Sequence, residues 1–267
     1  MKLYFEIIYS SNIYRKEMPV KINSVDFSKI VVGQVEDNLL IKSQKQALLT
    51  YNDDSFIIQT PQFMVESYGI PQQSNYYTTA KSRSFFKMPF CHDRRKYEDV
   101  IDYNAINEMF EKFKELDIYF SSPEMKDKLF GNKSDKYEYQ PLIRYPDETD
   151  ENTKYYRPPY IKIKLDLDYH TEKPKYHLYN NVDGKRTEIS LNDFDDTLNY
   201  LKYLTKARFI IYFHKIYVNK NSIGNDKKKY GVILRARCIE CINKERPKHI
   251  SNHSMFIDDS DEDIFHD

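Results

Sequence analysis

Tryptophan is absent from this chain of 267 residues, glycine occurs only six times and cysteine three times. So little glycine nearly excludes loops that cradle phosphates, and no G-x-S-x-G or H-E-x-x-H motif is present. Asp147, Asp166 and Asp168 are carboxylates of the kind that bind metals, but no Glu-x-Lys follows them to complete a nuclease-like centre. With no catalytic constellation, the sequence reads as a protein that is not an enzyme and uses no cofactor. An odd number of cysteines in a chain this long argues against a disulfide framework and for a reducing compartment. No apolar run approaches the ~20 residues of a transmembrane helix. Met1-Lys2 leads into Leu-Tyr-Phe-Glu rather than the apolar core of a secretory signal. The expectation is a soluble intracellular protein with no membrane partner.

Lysine, asparagine and tyrosine are plentiful, at 30, 18 and 24 residues against 5 alanines. Codons rich in A and T inflate all three, so only the placement of rings and charges is informative. Lys+Arg and Asp+Glu both total 41. Residues 1–153 carry 20 basic and 24 acidic side chains, residues 154–257 carry 21 and 11, and residues 258–267 carry none and six. The neutral total hides a basic second half and an acidic closing segment. That arrangement is common in nucleic-acid binders and equally compatible with an unevenly charged solvated surface.

The hydrophobic pattern predicts one β-rich α+β domain over residues 1–250, its basic part over 154–250, and a disordered acidic tail over 251–267. Leu3–Tyr9, Asn38–Ser43, Ala47–Tyr51 and Phe56–Thr60 have the β-branched and aromatic character of strands. Ile106, Met109, Phe110, Phe113 and Leu116 recur at helical spacing and predict a helix over Tyr103–Ile118. Ser122-Pro123 opens a shorter one that runs to about Phe130. From Tyr160 to Tyr169 apolar and charged residues alternate, which puts Lys162, Lys164, Asp166 and Asp168 on the wet face of a strand. Lys175–Asn180 reads as its hairpin partner. A helix over Asp193–Lys206, with Phe194, Leu198, Leu201 and Leu204 facing the core, precedes two long strands, Arg208–Val218 and Tyr230–Ile242.

Those strands hold most of the candidate site. Strict alternation sets Tyr212 and His214 on one face, and Lys215 and Tyr217 on the other. Ile233, Arg235, Arg237 and Ile239 share a face of the last strand, and Lys227, Lys228 and Lys229 stand in the loop before it. Cations that follow phosphates beside rings that stack on bases suit single-stranded nucleic acid. An ordinary exposed hairpin would look the same. Tyr155, Tyr156 and Arg157 repeat the interleaving ahead of Pro158-Pro159. Cys238 and Cys241 form a C-x-x-C that Cys91-His92 could complete into a zinc site. Residues three apart on a strand point to opposite faces, so two structural thiols and no metal are expected. Asp258–Asp267 is acidic with Ile264 and Phe265 near its end. It resembles the tails with which bacterial and phage single-strand binding proteins compete with nucleic acid and recruit partners.

Several segments also share their order with a known family. Ile22–Ile30 is followed by Phe56-Ile-Ile-Gln-Thr-Pro61 with Tyr68-Gly-Ile70, then by Lys128-Leu-Phe-Gly131. Tyr137–Arg144, which ends in Pro-Leu-Ile-Arg, and Pro158–Lys164 complete the series. Over about residues 20–242 the chain resembles a family of proteins from nucleocytoplasmic large DNA viruses. A related branch contains single-stranded DNA-binding proteins with a modified oligonucleotide-binding fold. The resemblance implies an antiparallel oligonucleotide-binding-like barrel with two or three packed helices. It also implies sequence-independent binding of single-stranded DNA, or RNA, in viral replication or genome packaging, at the viral factory in the host cytoplasm or in the virion. Expected protein partners are viral replication or packaging proteins held through Asp258–Asp267, and further copies of the chain. The rival expectation is a virion structural or scaffold protein that works through protein contacts.

Overall fold

The computed structural model describes residues 18–90, 101–146, 157–222 and 227–243. Leu3–Tyr9, Cys91-His92, Tyr155, Tyr156 and the segment 251–267 lie outside the described residues. Among the described residues strand outweighs helix. In chain order the strands are β1 (Val20–Lys21), β2 (Ile30–Val32), β3 (Glu36–Asp37), β4 (Gln44–Tyr51), β5 (Asp54–Ser55), β6 (Ile57–Gln59), β7 (Phe63–Met64) and β8 (Phe85–Pro89). They continue as β9 (Tyr137–Gln140), β10 (Ile143–Arg144), β11 (Tyr160–Lys164), β12 (His177–Val182), β13 (Lys185–Ile189), β14 (Lys206–Asn219) and β15 (Lys228–Asn243). The helices are α1 (Ala80–Arg83), α2 (Tyr103–Ser121), α3 (Pro123–Phe130) and α4 (Asp195–Tyr200).

β14 and β15 form the spine, paired antiparallel from Lys206↔Ile242 to Val218↔Tyr230. The far edge of β14 carries β4, β6 and β7. β15 takes β9, β11 and β12, all parallel to it. β11 is flanked in turn by β8 and β10, both antiparallel. The expected architecture needs correction here: the sheet is mixed, and its path β1-β6-β14-β15-β11-β10 does not close into a barrel among the described strands.

Helix α2 covers the inner face. Its stripe of Ile106, Met109, Phe110, Phe113, Leu116 and Phe120 is buried, and the Phe113 ring stacks on Phe213 of β14 at 6.2 Å. Burying such side chains stabilises the fold by about 2 kcal/mol each. The carboxylate of Asp102 caps α2 by accepting from the Ala105 N–H at 3.1 Å. Ser122 caps α3, whose first residue is Pro123.

Several expected elements fall differently. Asn38–Ser43 is a turn, because the Asn38 side chain accepts from the N–H groups of Leu40 and Ile41. The helix expected over Asp193–Lys206 shrinks to α4, and Leu204, at positive φ, is 41% exposed rather than in the core. β11 ends at Lys164, and β12 pairs with β13 and β15 instead of with β11. Asp183-Gly184, both at positive φ, turn the β12–β13 hairpin. Two register shifts in β14–β15 break the alternation, at Ile210/Ile211 and Phe213/Lys215. After the second, Ile216 and Val218 continue the buried row of Phe209, Ile211 and Phe213. Tyr212, Lys215 and Tyr217 therefore share the outer face instead of dividing between two. Ile239 is buried inward while Arg237 stays exposed, so these two do not share a face.

Candidate nucleic-acid interface

The outer face of β11 presents Tyr160, Lys162 and Lys164, because Ile161 and Ile163 are drawn into the core. Register places Lys87 of β8 directly opposite Lys162, and Arg144 of β10 opposite Tyr160. Like charges facing each other across an antiparallel pair are destabilising. Two adjoining clefts lie on this face. The larger, 690 Å³, is lined by Tyr68, Lys87, Arg144, Tyr145, Arg157 and Tyr160 among others. The smaller, 410 Å³, is lined by Tyr77, Lys81, Phe85, Arg144, Lys162 and Tyr217, with Lys164 beside them. Arg144 belongs to both, and among the described residues none that lines either cleft is acidic.

The electrostatics follow. Burial, then the charges of Arg144 and Arg157, hold the Lys87 ammonium below its ordinary pKa. Burial, then Arg144 and Lys87, does the same to Lys162. Aromatic rings offset part of this repulsion. The Lys162 Nζ lies 3.8 Å from the centre of the Phe85 ring, and the Lys87 Nζ lies 4.9 Å from Tyr160 and 5.6 Å from Tyr68. Tyr68 sits at φ 62, a left-handed conformation unusual for a bulky side chain. It is held there by its hydroxyl, which donates to the Pro158 carbonyl at 3.1 Å, and by Gly69, which exchanges two backbone hydrogen bonds with Lys87.

Asp117 on α2 sets the position of Arg144. Its carboxylate accepts from the Tyr139 hydroxyl at 2.8 Å and from the N–H groups of Leu142 and Ile143 at 2.7 and 3.1 Å. Burial raises its pKa against the opposing pull of those hydrogen bonds.

Beyond Lys164 the face continues onto β15 and β14. Lys164 is register partner to Arg235, and Asp166 takes both, at 3.5 and 2.7 Å. The Arg237 guanidinium lies 5.1 Å from the centre of the Tyr212 ring, whose neighbour His214 meets it edge-on at 5.2 Å. Burial, then Arg235 and Lys215, pushes His214 down to about 4, so its ring is neutral at pH 7.

The structure thus brings Arg157, Lys162, Lys164 and Tyr217 together in the clefts and sets Tyr212, His214, Arg235 and Arg237 beside them. Lys215 is buried and donates to Gln46. Lys227, Lys228 and Lys229 lie where β15 starts beside β9, and Lys229 is paired with Glu138. Sequence reasoning missed Tyr68, Lys87, Arg144, Tyr145 and Tyr160 as site residues. The available signal was the lone charge in Phe85-Phe-Lys-Met-Pro89, an otherwise apolar strand. Cys238 is half-buried on the outer side and Cys241 fully buried on the inner side. Among the described residues no group of three or more His, Cys, Asp or Glu side chains is placed to hold a metal ion. No helix there is long and apolar enough to cross a membrane.

No protein-family profile matches the chain. It is similar to an uncharacterized protein of Acanthamoeba polyphaga mimivirus, with 24% identity over 276 residues covering 90% of this chain. The chain spans 65% of the length of that relative. The likeness is to a protein of a large DNA virus, and it extends to no described activity.

Proposed function

We propose that this chain binds single-stranded nucleic acid, DNA first, without regard to sequence, along the outer face of β8, β10 and β11. One observation carries the reading: Lys87 faces Lys162 beside Arg144, with no carboxylate among the described residues that line either cleft and tyrosine rings on both sides. Such repulsion costs stability in the unliganded fold and is relieved when phosphates arrive. Phosphate contacts carry no sequence information, and a ring stacks on any base for about 1–3 kcal/mol. A duplex keeps its bases stacked and forgoes that second contribution. In this reading the open sheet is an oligonucleotide-binding-like platform that serves viral genome replication or packaging at the viral factory, and Asp258–Asp267 recruits the partner proteins.

The test is anisotropy of labelled oligo(dT) against a duplex of equal length over a salt series. Single strand should bind more tightly, with log affinity falling linearly in log salt, and Arg144→Ala should shallow that slope by about one. Equal affinity for duplex, or a flat salt response, rejects the reading. One observation favours the rival structural role: Leu39 and Leu40 are 82% and 93% exposed, with Val31 and Leu48 also exposed on neighbouring strands. If that patch is the working surface, Leu40→Asp abolishes co-assembly with virion proteins and leaves oligo(dT) binding untouched.

A further inference from the structure

We infer that the smallest ligand of this face is one dinucleotide step. Its phosphodiester rests on the saddle made by Lys87, Arg144 and Lys162, one base lies in the larger cleft against Tyr68 and Tyr160, and the next lies in the smaller cleft against Tyr77 and Tyr217. The inference rests on the single-strand reading and adds a register to it.

The two clefts divide the three cations in a telling way. Lys87 lines only the larger, Lys162 only the smaller, and Arg144 both. Lys87 and Lys162 are direct cross-strand partners, so their Cβ atoms stand about 5 Å apart. The boundary between the clefts is therefore the place where all three cations reach one anion. Each side of it offers rings. Tyr68 and Tyr160 stand at 4.8 Å on one side, and Tyr77 and Tyr217 line the other. Phe85 is spent as a floor, since it is buried beneath the Lys162 ammonium. Both cleft volumes fall in the ~300–1,000 Å³ range of small-ligand sites. Further along the face Asp166 pairs with both Lys164 and Arg235 and cancels one of their two charges. No ion pair is present at Lys87 or Lys162 among the described residues, so the uncompensated charge is densest at the saddle. A single phosphate between two bases is the nucleic-acid unit that matches one cation cluster between two aromatic clefts.

The experiment is competition against labelled (dT)20 on the full chain, using thymidine monophosphate, dTpdT, dTpdT with a neutral methylphosphonate linkage, and a dT-phosphate-abasic step. dTpdT should compete at a concentration at least tenfold below that of thymidine monophosphate, and the neutral linkage or the missing base should each abolish that gain. Lys87→Gln with Lys162→Gln should lose competition by dTpdT while the unfolding temperature holds or rises, because a repulsive pair has been removed. If (dT)20 binds but dTpdT competes no better than thymidine monophosphate or its neutral analogue, the register is wrong and the single-strand reading survives. If (dT)20 does not bind, that reading falls and the register with it.

Discussion

Tyr68 keeps a bulky ring at φ 62, where an L-residue is strained by roughly 1–2 kcal/mol. Strain of this kind persists where the surroundings hold it, and here Gly69, Lys87 and Pro158 do so at the mouth of the larger cleft. Tyr68→Gly removes ring and strain together, whereas Tyr68→Ala removes the ring and keeps the strain. Thermal unfolding should rank glycine above alanine by about 1 kcal/mol, while both lose affinity for oligo(dT) by about 1–3 kcal/mol. Affinity unchanged in both variants would remove Tyr68 from the interface. His214 gives a pH dependence of known sign. Its folded pKa of about 4 lies below the ordinary 6.5, so between those values the unfolded chain holds more protons than the folded one. Stability should therefore fall as pH is lowered from about 6.5 to about 4, and His214→Gln should flatten that part of the profile in urea titrations. An unchanged slope would mean that the ring titrates alike in both states.

At the scale of elements, close strand approach and a buried carboxylate hold the site together. A methyl group on Gly231 would meet the Gln140 carbonyl and the Tyr217 ring, each at 3.1 Å. The carbonyl is held in the β9–β15 ladder, so the Tyr217 ring, which lines the smaller cleft, has to give by a few tenths of an ångström. Gly231→Ala should cost about 1–3 kcal/mol and weaken oligo(dT) binding in step. Asp117→Asn keeps one acceptor oxygen and turns its N–H₂ toward one of the two backbone donors, Leu142 or Ile143, leaving that N–H without an acceptor at a cost of about 2–3 kcal/mol by chemical denaturation. A loss under 0.5 kcal/mol would show that β10 needs no such anchor. The two long strands and α2 were legible because their periodicity is sustained over several turns or pleats, and α3 because Ser122-Pro123 marks its start. The shifts between β14 and β15 were not, since one extra residue, Arg237 on β15 and His214 on β14, reverses every later side chain of its strand without changing composition. The site was half legible for a related reason. Lys162 and Lys164 declare themselves by alternation on one strand, whereas Lys87, Arg144 and Tyr68 join them only through pairings between segments far apart in sequence.

Over the whole molecule, the zero net charge is a sum of opposed parts. Residues 1–257 carry 41 basic and 35 acidic side chains, and Asp258–Asp267 carries six acids and no base. Twenty-four residues follow Asn243, the last described one, and a fully extended chain of that length reaches about 80 Å. Reach therefore does not stop the acidic segment from meeting the cation saddle. A tethered anion acts at an effective concentration of roughly millimolar and should compete with nucleic acid for that saddle. The competition is electrostatic, so it should fade as the Debye length contracts from about 30 Å at 0.01 M to about 8 Å at 0.15 M salt. Deleting Asp258–Asp267 should tighten oligo(dT) binding by about 1 kcal/mol, roughly fivefold, at low salt and by much less at high salt. In the Lys87→Gln, Lys162→Gln background the same deletion should gain little, because the surface competed for is gone. Equal affinities with and without the segment at both salt concentrations would leave Ile264 and Phe265 as contacts for a partner protein and exclude the acids as an internal competitor.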